Sequence, residues 1–441
     1  MRRFSIIIFV FFLLIGICSA QEDLTLEKSI LIAFEKSPVM LKARADIVAA
    51  EGQVGQAVAG FLPHLSLNAN VGKTYSAPMT VEMTLMGTPS VFTYGVDEQA
   101  DMANYSASLT QSLFTGGRLS SGLAMAKKGL RVAVEEFKKV SHNVKFSVIK
   151  AYYDVLKAKK FVKLSRESVD MANSHLSHAK ALKNVGMSTR AETLRDEVQV
   201  ANAEIALSKA KQGFEIAKNY FNNILGRDLN SSVELAEVEF KSESEYVPLY
   251  EYEDILKIAY EERPDWKQYI LANKISEDEV GMVRSDLWPM LSLVGQYDIG
   301  STKYESFKSD QRTWTAMVSG SWNIFDGSAT WNRIKEANAK LEANRANEIE
   351  IKKGIALEVK DANFAISSSL ENIKGTQKAL ELAGENLKIA DLRYKSGVGT
   401  NLEMIDAQVA VTRARIEHLQ SEHDLQIAKA KINKVIGRDI Y

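Results

Sequence analysis

Carboxylates and histidines are the residues through which this chain could do chemistry, and their spacing points to helix ends rather than to a catalytic centre. Thr189-x-x-Glu192 and Thr400-x-x-Glu403 both match a capping box, in which threonine and glutamate satisfy free amides of a helix's first turn. Acidic residues at that place also favour the helix dipole. Asp406 lies beyond the second box. His175 with His178, and His418 with His423, fall on predicted helices without a third ligand at convincing spacing, so they read as solvated surface positions and no metal is implied. No nucleophile elbow, phosphate loop or His-Glu-x-x-His occurs, and carboxylates such as Glu135 and Glu136 belong to solvated helix faces. Neither an enzyme nor a bound cofactor is expected.

The elements that carry these residues come in two copies. Glu35-Lys36-Ser37-Pro38 recurs as Glu261-Glu262-Arg263-Pro264, and Phe61-Leu62-Pro63-His64-Leu65-Ser66-Leu67 as Leu287-Trp288-Pro289-Met290-Leu291-Ser292-Leu293, at an offset of 226. Further on, Phe114-Thr115-Gly116 matches Phe325-Asp326-Gly327, Gly186 with Thr189 matches Gly397 with Thr400, and Ile224-Leu225-Gly226-Arg227-Asp228 matches Val435-Ile436-Gly437-Arg438-Asp439, at an offset of 211. The slip of 15 lies in the one stretch of each half that alternates like a β-hairpin. Internal repetition of this kind defines the architecture before any single motif does.

No proline falls between 90 and 247 or after 289, so those spans are free to hold very long helices. The pattern predicts helices over 24–60, 117–185, 190–225, 251–286, 328–395 and 401–436. At 1.5 Å per residue the longest is ~105 Å, more than three times the thickness of a bilayer core. Leu207, Ala210, Phe214, Ala217, Phe221 and Ile224 step by three and four, as do Leu380, Ala383, Leu387, Ala390 and Tyr394, and then Leu402, Ile405, Val409, Thr412, Ile416 and Leu419. That spacing specifies antiparallel coiled-coil hairpins with tips at Val185–Thr189 and Ser396–Thr400. Gly226 and Gly437 sit where a helix needs a left-handed cap.

Composition narrows the compartment. Arg2 and Arg3, an apolar run from Ile6 to Ile17 and the ending Ser19-Ala20 predict a secretory signal over 1–20, cleaved before Gln21. Cys18 is the single cysteine and leaves with it, while Ile17 argues against a lipoprotein signal. Removing Arg2 and Arg3 from the 55 basic residues leaves 53 against 56 acidic ones, unclustered, which gives nucleic-acid binding no support. No later stretch approaches about 18 apolar residues, so any crossing of a membrane must use β-strands.

The hairpins, expected over 64–114 and 290–325, read with period two. Leu65, Leu67, Ala69 and Val71 alternate with small residues, as do Tyr105, Ala107 and Leu109; Leu291, Leu293, Tyr297 and Ile299 share a face, as do Trp314, Ala316, Val318, Trp322 and Ile324 opposite Thr315, Ser319, Ser321 and Asn323. A transmembrane barrel strand and a two-faced soluble sheet both show this alternation. Four strands cannot close a barrel, which takes about 8 or more, but three chains would supply twelve. Residues 76–102 read as a long polar connection and 302–312 as its shorter counterpart, which is where the slip belongs.

This order of signal, helix, hairpin, long helix and shorter helix, given twice, resembles the TolC-type outer-membrane efflux proteins over the whole mature chain. Phe114-Thr115-Gly116-Gly117 and Phe325-Asp326-Gly327 look like that family's strand exits, and Val185-Gly186-Met187-Ser188-Thr189 and Ser396-Gly397-Val398-Gly399-Thr400 like its glycine turns. The resemblance implies a homotrimer that joins a 12-stranded barrel in outer-membrane lipid to a helical tunnel across the periplasm. Each chain would give a first repeat over 21–225, an equatorial linker at 226–250 and a second repeat over 251–441. Glu234, Glu237, Glu239, Glu243 and Glu245 match the belt around the tunnel. The implied partners are a periplasmic adaptor, or membrane fusion protein, and an inner-membrane transporter of RND, ABC or MFS type.

The same resemblance places Glu403 and Asp406 in an acidic ring at the periplasmic aperture, and Tyr394 with Glu192 among its closing contacts. Three copies of Glu403 and Asp406, one pair from each chain, would attract cations and be blocked by them. Where an arginine is implied in the second tip the chain has Gly399, with Arg190 or Arg195 as substitutes. Val185, Gly186, Met187 and Thr189 with Gly397, Val398, Gly399 and Thr400 expose backbone and small side chains suited to adaptor docking. The expectation is therefore a passive exit duct of a tripartite efflux or type I secretion system. The alternative is a secreted periplasmic coiled-coil scaffold whose hairpins form soluble sheet.

Overall fold

Proline and glycine set the joints of the chain. The computed structural model describes residues 24–95, 97–236, 251–305 and 308–440. The expected signal and belt residues Glu237, Glu239, Glu243 and Glu245 lie outside the described residues, and Glu234 within them. The first half runs α1 (Leu26–Lys36), α2 (Pro38–Ala59), β1 (His64–Ser76), β2 (Met79–Leu85), β3 (Thr88–Tyr94), β4 (Glu98–Phe114), α3 (Arg118–Asn184) and α4 (Arg190–Ile224). The second runs α5 (Tyr252–Glu262), α6 (Pro264–Arg284), β5 (Met290–Lys303), β6 (Lys308–Ser321), α7 (Ala329–Lys395) and α8 (Asn401–Ile436).

Two of the expected helices are each broken in two. Ser37 (φ −62°, ψ 127°) separates α1 from α2, and Arg263 (φ −58°, ψ 122°) separates α5 from α6. Each precedes a proline whose ring disfavours helical ψ at the residue before it and lacks the amide that would continue the ladder. The end of the second expected helix, Ser285–Leu287, is a 3₁₀ turn.

The described residues form two units. One, from Lys42–Val140 and Ile258–Leu357, carries the sheet. Its four antiparallel strands run in the order β1-β4-β5-β6. The register puts the alternating residues together: Leu67 pairs with Ala107, Ala107 with Tyr297, and Tyr297 with Trp314, so this row is apolar from edge to edge. Ser66 and Ser108 meet at 2.6 Å on the small polar face. At 13, 17, 14 and 14 residues the strands exceed the 9–11 or so that span a bilayer. β6 ends at Ser321, so Trp322 and Ile324, read as strand residues in the sequence, lie beyond it. Behind the strand exit, Val280, Ala337 and Leu341 form a small core, and Trp266 stacks on Tyr269 at 5.8 Å.

The span 76–102 is not the loop that its polarity suggested. β2 and β3 form a second, two-stranded ribbon over a turn with positive φ at both Met86 (50°) and Gly87 (87°), the geometry whose twist suits a two-residue hairpin. Met79, Val81, Met83, Leu85, Phe92 and Tyr94 share one face of it. This ribbon accounts for the slip between the two copies.

The other unit comprises the described residues of Met1–Leu41, Ser141–Lys257 and Glu358–Tyr441. Tyr152 and Phe221 are fully buried with rings edge-on at 6.2 Å, in company with Met40, Ile366 and Ile432. Leu24 bridges to Leu235, tying the start of the chain to the segment that bears Glu234. Gly226 (φ 68°) and Gly437 (φ 72°) take the left-handed conformation expected of them, and an added Cβ at Gly226 would stand 2.7 Å from the Lys36 carbonyl oxygen. The seam expected on α4 is buried or half-buried. On α8 the buried line is instead Met404, Ala407, Val411 and Ala414, while of the expected seam Leu402 and Val409 are exposed, Ile405, Thr412 and Ile416 half-buried and only Leu419 buried. Both lines step by three and four along the same helix, so spacing alone cannot choose between them.

Candidate functional site

The two hairpin tips close by the same backbone chemistry. After α3, Gly186 (φ 78°) donates to the Lys183 carbonyl at 3.0 Å and Met187 to that of Leu182 at 2.9 Å. After α7, Gly397 (φ 75°) donates to Tyr394 and Val398 to Arg393, both at 3.0 Å. This pair of bonds satisfies the last carbonyls of a helix and needs a left-handed residue, which glycine supplies without strain. Val185, Met187 and Val398 stand exposed at the turns.

The returning helices start differently. At α4 the capping box is complete: Thr189 Oγ1 accepts from the Glu192 amide at 3.2 Å, and Glu192 Oε2 accepts from the Thr189 amide at 2.9 Å and the Ser188 hydroxyl at 2.7 Å. Those bonds hold the Glu192 carboxyl below the usual glutamate range. At α8 only half of the box forms. Thr400 Oγ1 accepts from the Glu403 amide at 3.1 Å, but the Glu403 carboxylate turns to Arg393, with Nε 3.5 Å away. Asp406 is exposed one turn further on.

Gly399 explains why no arginine stands at its position. An added Cβ would lie 2.8 Å from the Tyr394 nitrogen and 2.9 Å from the Arg393 Cβ, so a side chain there would push the turn apart. The guanidinium of Arg393 faces Glu403 from the preceding helix instead.

Four helices meet beneath the tips around two residues that sequence reasoning passed over, Asn401 and Asp196. Asn401, at the start of α8, donates from Nδ2 to Asp196 Oδ1 on α4 at 3.0 Å, and its Oδ1 lies 2.5 Å from Nε2 of His175 on α3. His175 Nε2 is 3.6 Å from Asp196 Oδ1. From α7, the Tyr394 ring packs on the rings of His175 at 4.9 Å and His178 at 5.7 Å. Asp196 is 1% exposed. Its Oδ2 and the Tyr394 hydroxyl are buried without a hydrogen-bond partner. Burial, only partly offset by the Asn401 amide and His175, pushes the Asp196 carboxyl up. Burial, reinforced by the charges of Asp196 and Glu192, likewise raises the Tyr394 hydroxyl.

The histidines therefore correct the surface reading. His175 and His423 are buried, and His418 is half-buried; His178 alone of the four is exposed. His423 Nε2 lies 2.8 Å from Asp154, joining α8 to α3. A signal was present in the spacing: Asp196 stands seven residues before Ala203 and fourteen before Ala210, on the buried line of α4. A polar residue on a coiled-coil seam marks a specific partner.

The tips thus combine acidic first turns, exposed apolar turn residues and a buried polar junction. The family model described as outer membrane efflux protein matches residues 30–227 and 255–438. Protein CyaE of Bordetella pertussis is 24% identical over 90% of this chain and 81% of its own length. The cobalt-zinc-cadmium resistance protein CzcC of Cupriavidus metallidurans is 22% identical, over 79% of this chain and 81% of its own. Among solved structures, the fold of CusC superposes with a TM-score of 0.79 at 16% identity, covering 94% of this chain and 92% of that one.

Proposed function

From the premise that the chain belongs to the outer membrane efflux protein family, and so is an exit duct of a tripartite efflux or type I secretion system in the outer membrane with its helices in the periplasm, we propose that three copies assemble into one duct. The observation that carries this is the sheet. Its edges, β1 and β6, have no neighbour among the described strands of one chain, and one face carries an apolar band, Leu65, Leu67, Ala107, Leu109, Tyr297, Trp314 and Ala316, that gives way to charged residues at Lys73, Asp101, Lys303 and Lys308. An open edge in lipid leaves a row of unsatisfied amides and carbonyls, so a membrane sheet must close. Three four-stranded sheets close as twelve strands. Family membership also sets the secreted scaffold aside.

In this reading Asp406 and Glu403 ring the periplasmic aperture, with Asp406 the stronger field because Arg393 balances Glu403. Tyr394 and Glu192 belong to the closing contacts, Tyr394 through the packing of its ring on His175 and His178, since its hydroxyl is buried within the chain. The exposed turns at Val185–Met187 and Gly397–Val398 meet a periplasmic adaptor, which connects the duct to an inner-membrane transporter of RND, ABC or MFS type. Relatives carry names as different as alkaline protease secretion and cobalt-zinc-cadmium resistance. The tunnel wall here is built of generic helix faces, so the choice of cargo belongs to the transporter.

Single-channel recording of detergent-extracted protein in a planar bilayer tests the reading. A small cation-selective conductance that rises, or loses divalent block, in Glu403→Gln/Asp406→Asn supports duct and aperture together. Conductance indifferent to the pair removes them from the aperture, and a folded protein that fails to insert removes the trimeric duct. Cysteines at Met187 and Val398 should cross-link an adaptor; capture of sister subunits alone argues against docking there.

A further inference from the structure

The junction of His175, Asn401 and Asp196 has features that packing alone does not require. Three polar side chains from three helices converge where coiled coils bury alanine and leucine, and one carboxylate oxygen is left without a partner. Asn401 is the first residue of α8, so whatever holds it also holds the turn that bears Glu403 and Asp406. It is tied to the first hairpin at three points: His175 of α3, the Asp196 carboxylate of α4, and the Glu192 carbonyl at 3.4 Å.

We propose that this junction is a proton-controlled clasp: while the His175–Asp196 pair retains a proton the second tip is held against the first, and loss of that proton releases the start of α8. With Asp196 neutral, Oδ1 accepts from Asn401 and no charge is buried. With the proton on His175, the imidazolium 3.6 Å away offsets the carboxylate. The proton belongs to the pair rather than to either residue. Once it leaves, a carboxylate that is 1% exposed has one amide to stabilise it, and a buried charge so poorly compensated is relieved by opening to water.

The surroundings deepen this effect. On α4 Glu192 adds negative charge, and on α3 His178 faces Tyr394. On α7 stand Tyr394 itself and, lining the adjoining groove, Lys388, Asp391 and Lys395. The lysines and Asp391 line that groove, whereas the Asp196 oxygens are buried. From α8 only the neutral Asn401 reaches the pair, since Glu403 is engaged by Arg393. The direction follows. A carboxyl raised by burial supports the closed tip fully below its ordinary value of 3.8 and withdraws that support as pH rises through its raised value.

The effect on conductance rests on the aperture reading above, but the clasp can be read without it. Hydrogen exchange of the Asn401–Met404 amides is followed in the purified full-length assembly across about pH 4 to pH 9, corrected for intrinsic exchange, beside single-channel conductance. Above the transition the opened fraction should rise by up to about tenfold per pH unit, the limit for one proton. Asp196→Asn, which mimics the protonated acid, should abolish the rise and keep the tip protected. His175→Gln, which keeps a donor for Asn401 but cannot take a proton, should move the rise to lower pH. Glu403→Gln/Asp406→Asn should retain it. Wild-type protection that is flat with pH, an undiminished rise in Asp196→Asn, or an unshifted one in His175→Gln would each overturn the clasp. If Asp196→Asn fails to assemble, the wild-type and His175→Gln profiles decide. An assembly that conducts at no pH refutes the duct reading while exchange still judges the clasp.

Discussion

Adding one methyl group at Gly116 and at Gly327 poses the same backbone question in two different surroundings. The two glycines occupy matching places in the repeat, each at a strand exit, with φ of 61° and 67°. A left-handed conformation costs any residue with a Cβ about 1 kcal/mol. At Gly327 nothing lies within 4 Å of the added atom, so Gly327→Ala should cost that amount alone. At Gly116 the Cβ would stand 2.6 Å from the Ser285 carbonyl oxygen and 2.8 Å from the Trp288 Cβ. Overpacking against backbone that cannot swing aside costs roughly 2 kcal/mol more. Gly116→Ala should therefore lose about 3 kcal/mol, and the difference of about 2 kcal/mol is up to about a thirtyfold change in the folded-to-unfolded ratio. Guanidinium unfolding in detergent, followed by tryptophan fluorescence, reads both variants, and Trp288 sits at the site. Equal losses at the two glycines would refute the argument, because only the neighbours distinguish them.

Glu192→Ala should loosen the first turn of α4 and cost about 1 kcal/mol at neutral pH, whereas Glu403→Ala should cost only a few tenths, read by hydrogen exchange of each first turn. Because the Glu192 carboxyl is held low, its support is present above its ordinary value of 4.5 and should be lost as pH falls through the lowered one. Phe221→Ala empties a fully buried site against Tyr152 and should cost about 3–5 kcal/mol in chemical denaturation. In planar bilayers Asp406→Asn should reduce cation selectivity more than Glu403→Gln, and Arg393→Gln should increase it, since Arg393 stands 3.5 Å from Glu403.

Much of this architecture was legible because it depends on local rules. Period two marked β1, β4, β5 and β6, and the absence of proline let α3 and α7 each run 67 residues. Glycine at 186, 226, 397 and 437 marked four helix ends, since few other residues accept positive φ there. The ribbon of β2 and β3 was missed because its threonines and its Met-Gly turn look polar and irregular when one face is not separated from the other. The breaks at Pro38 and Pro264 were missed because the apolar pattern continues across them.

The sequence by itself thus determined what the long helices and the four main strands become and that the whole is given twice, because secondary structure follows from side-chain period and backbone freedom within a few residues. Tertiary structure alone decided which of two apolar lines on α8 is buried and that Glu403 turns to Arg393. It also decided that His175, Asp196 and Asn401, on three different helices, share one buried junction. Partners of that kind are chosen by how helices rotate against one another, and a short-range pattern carries no record of that rotation.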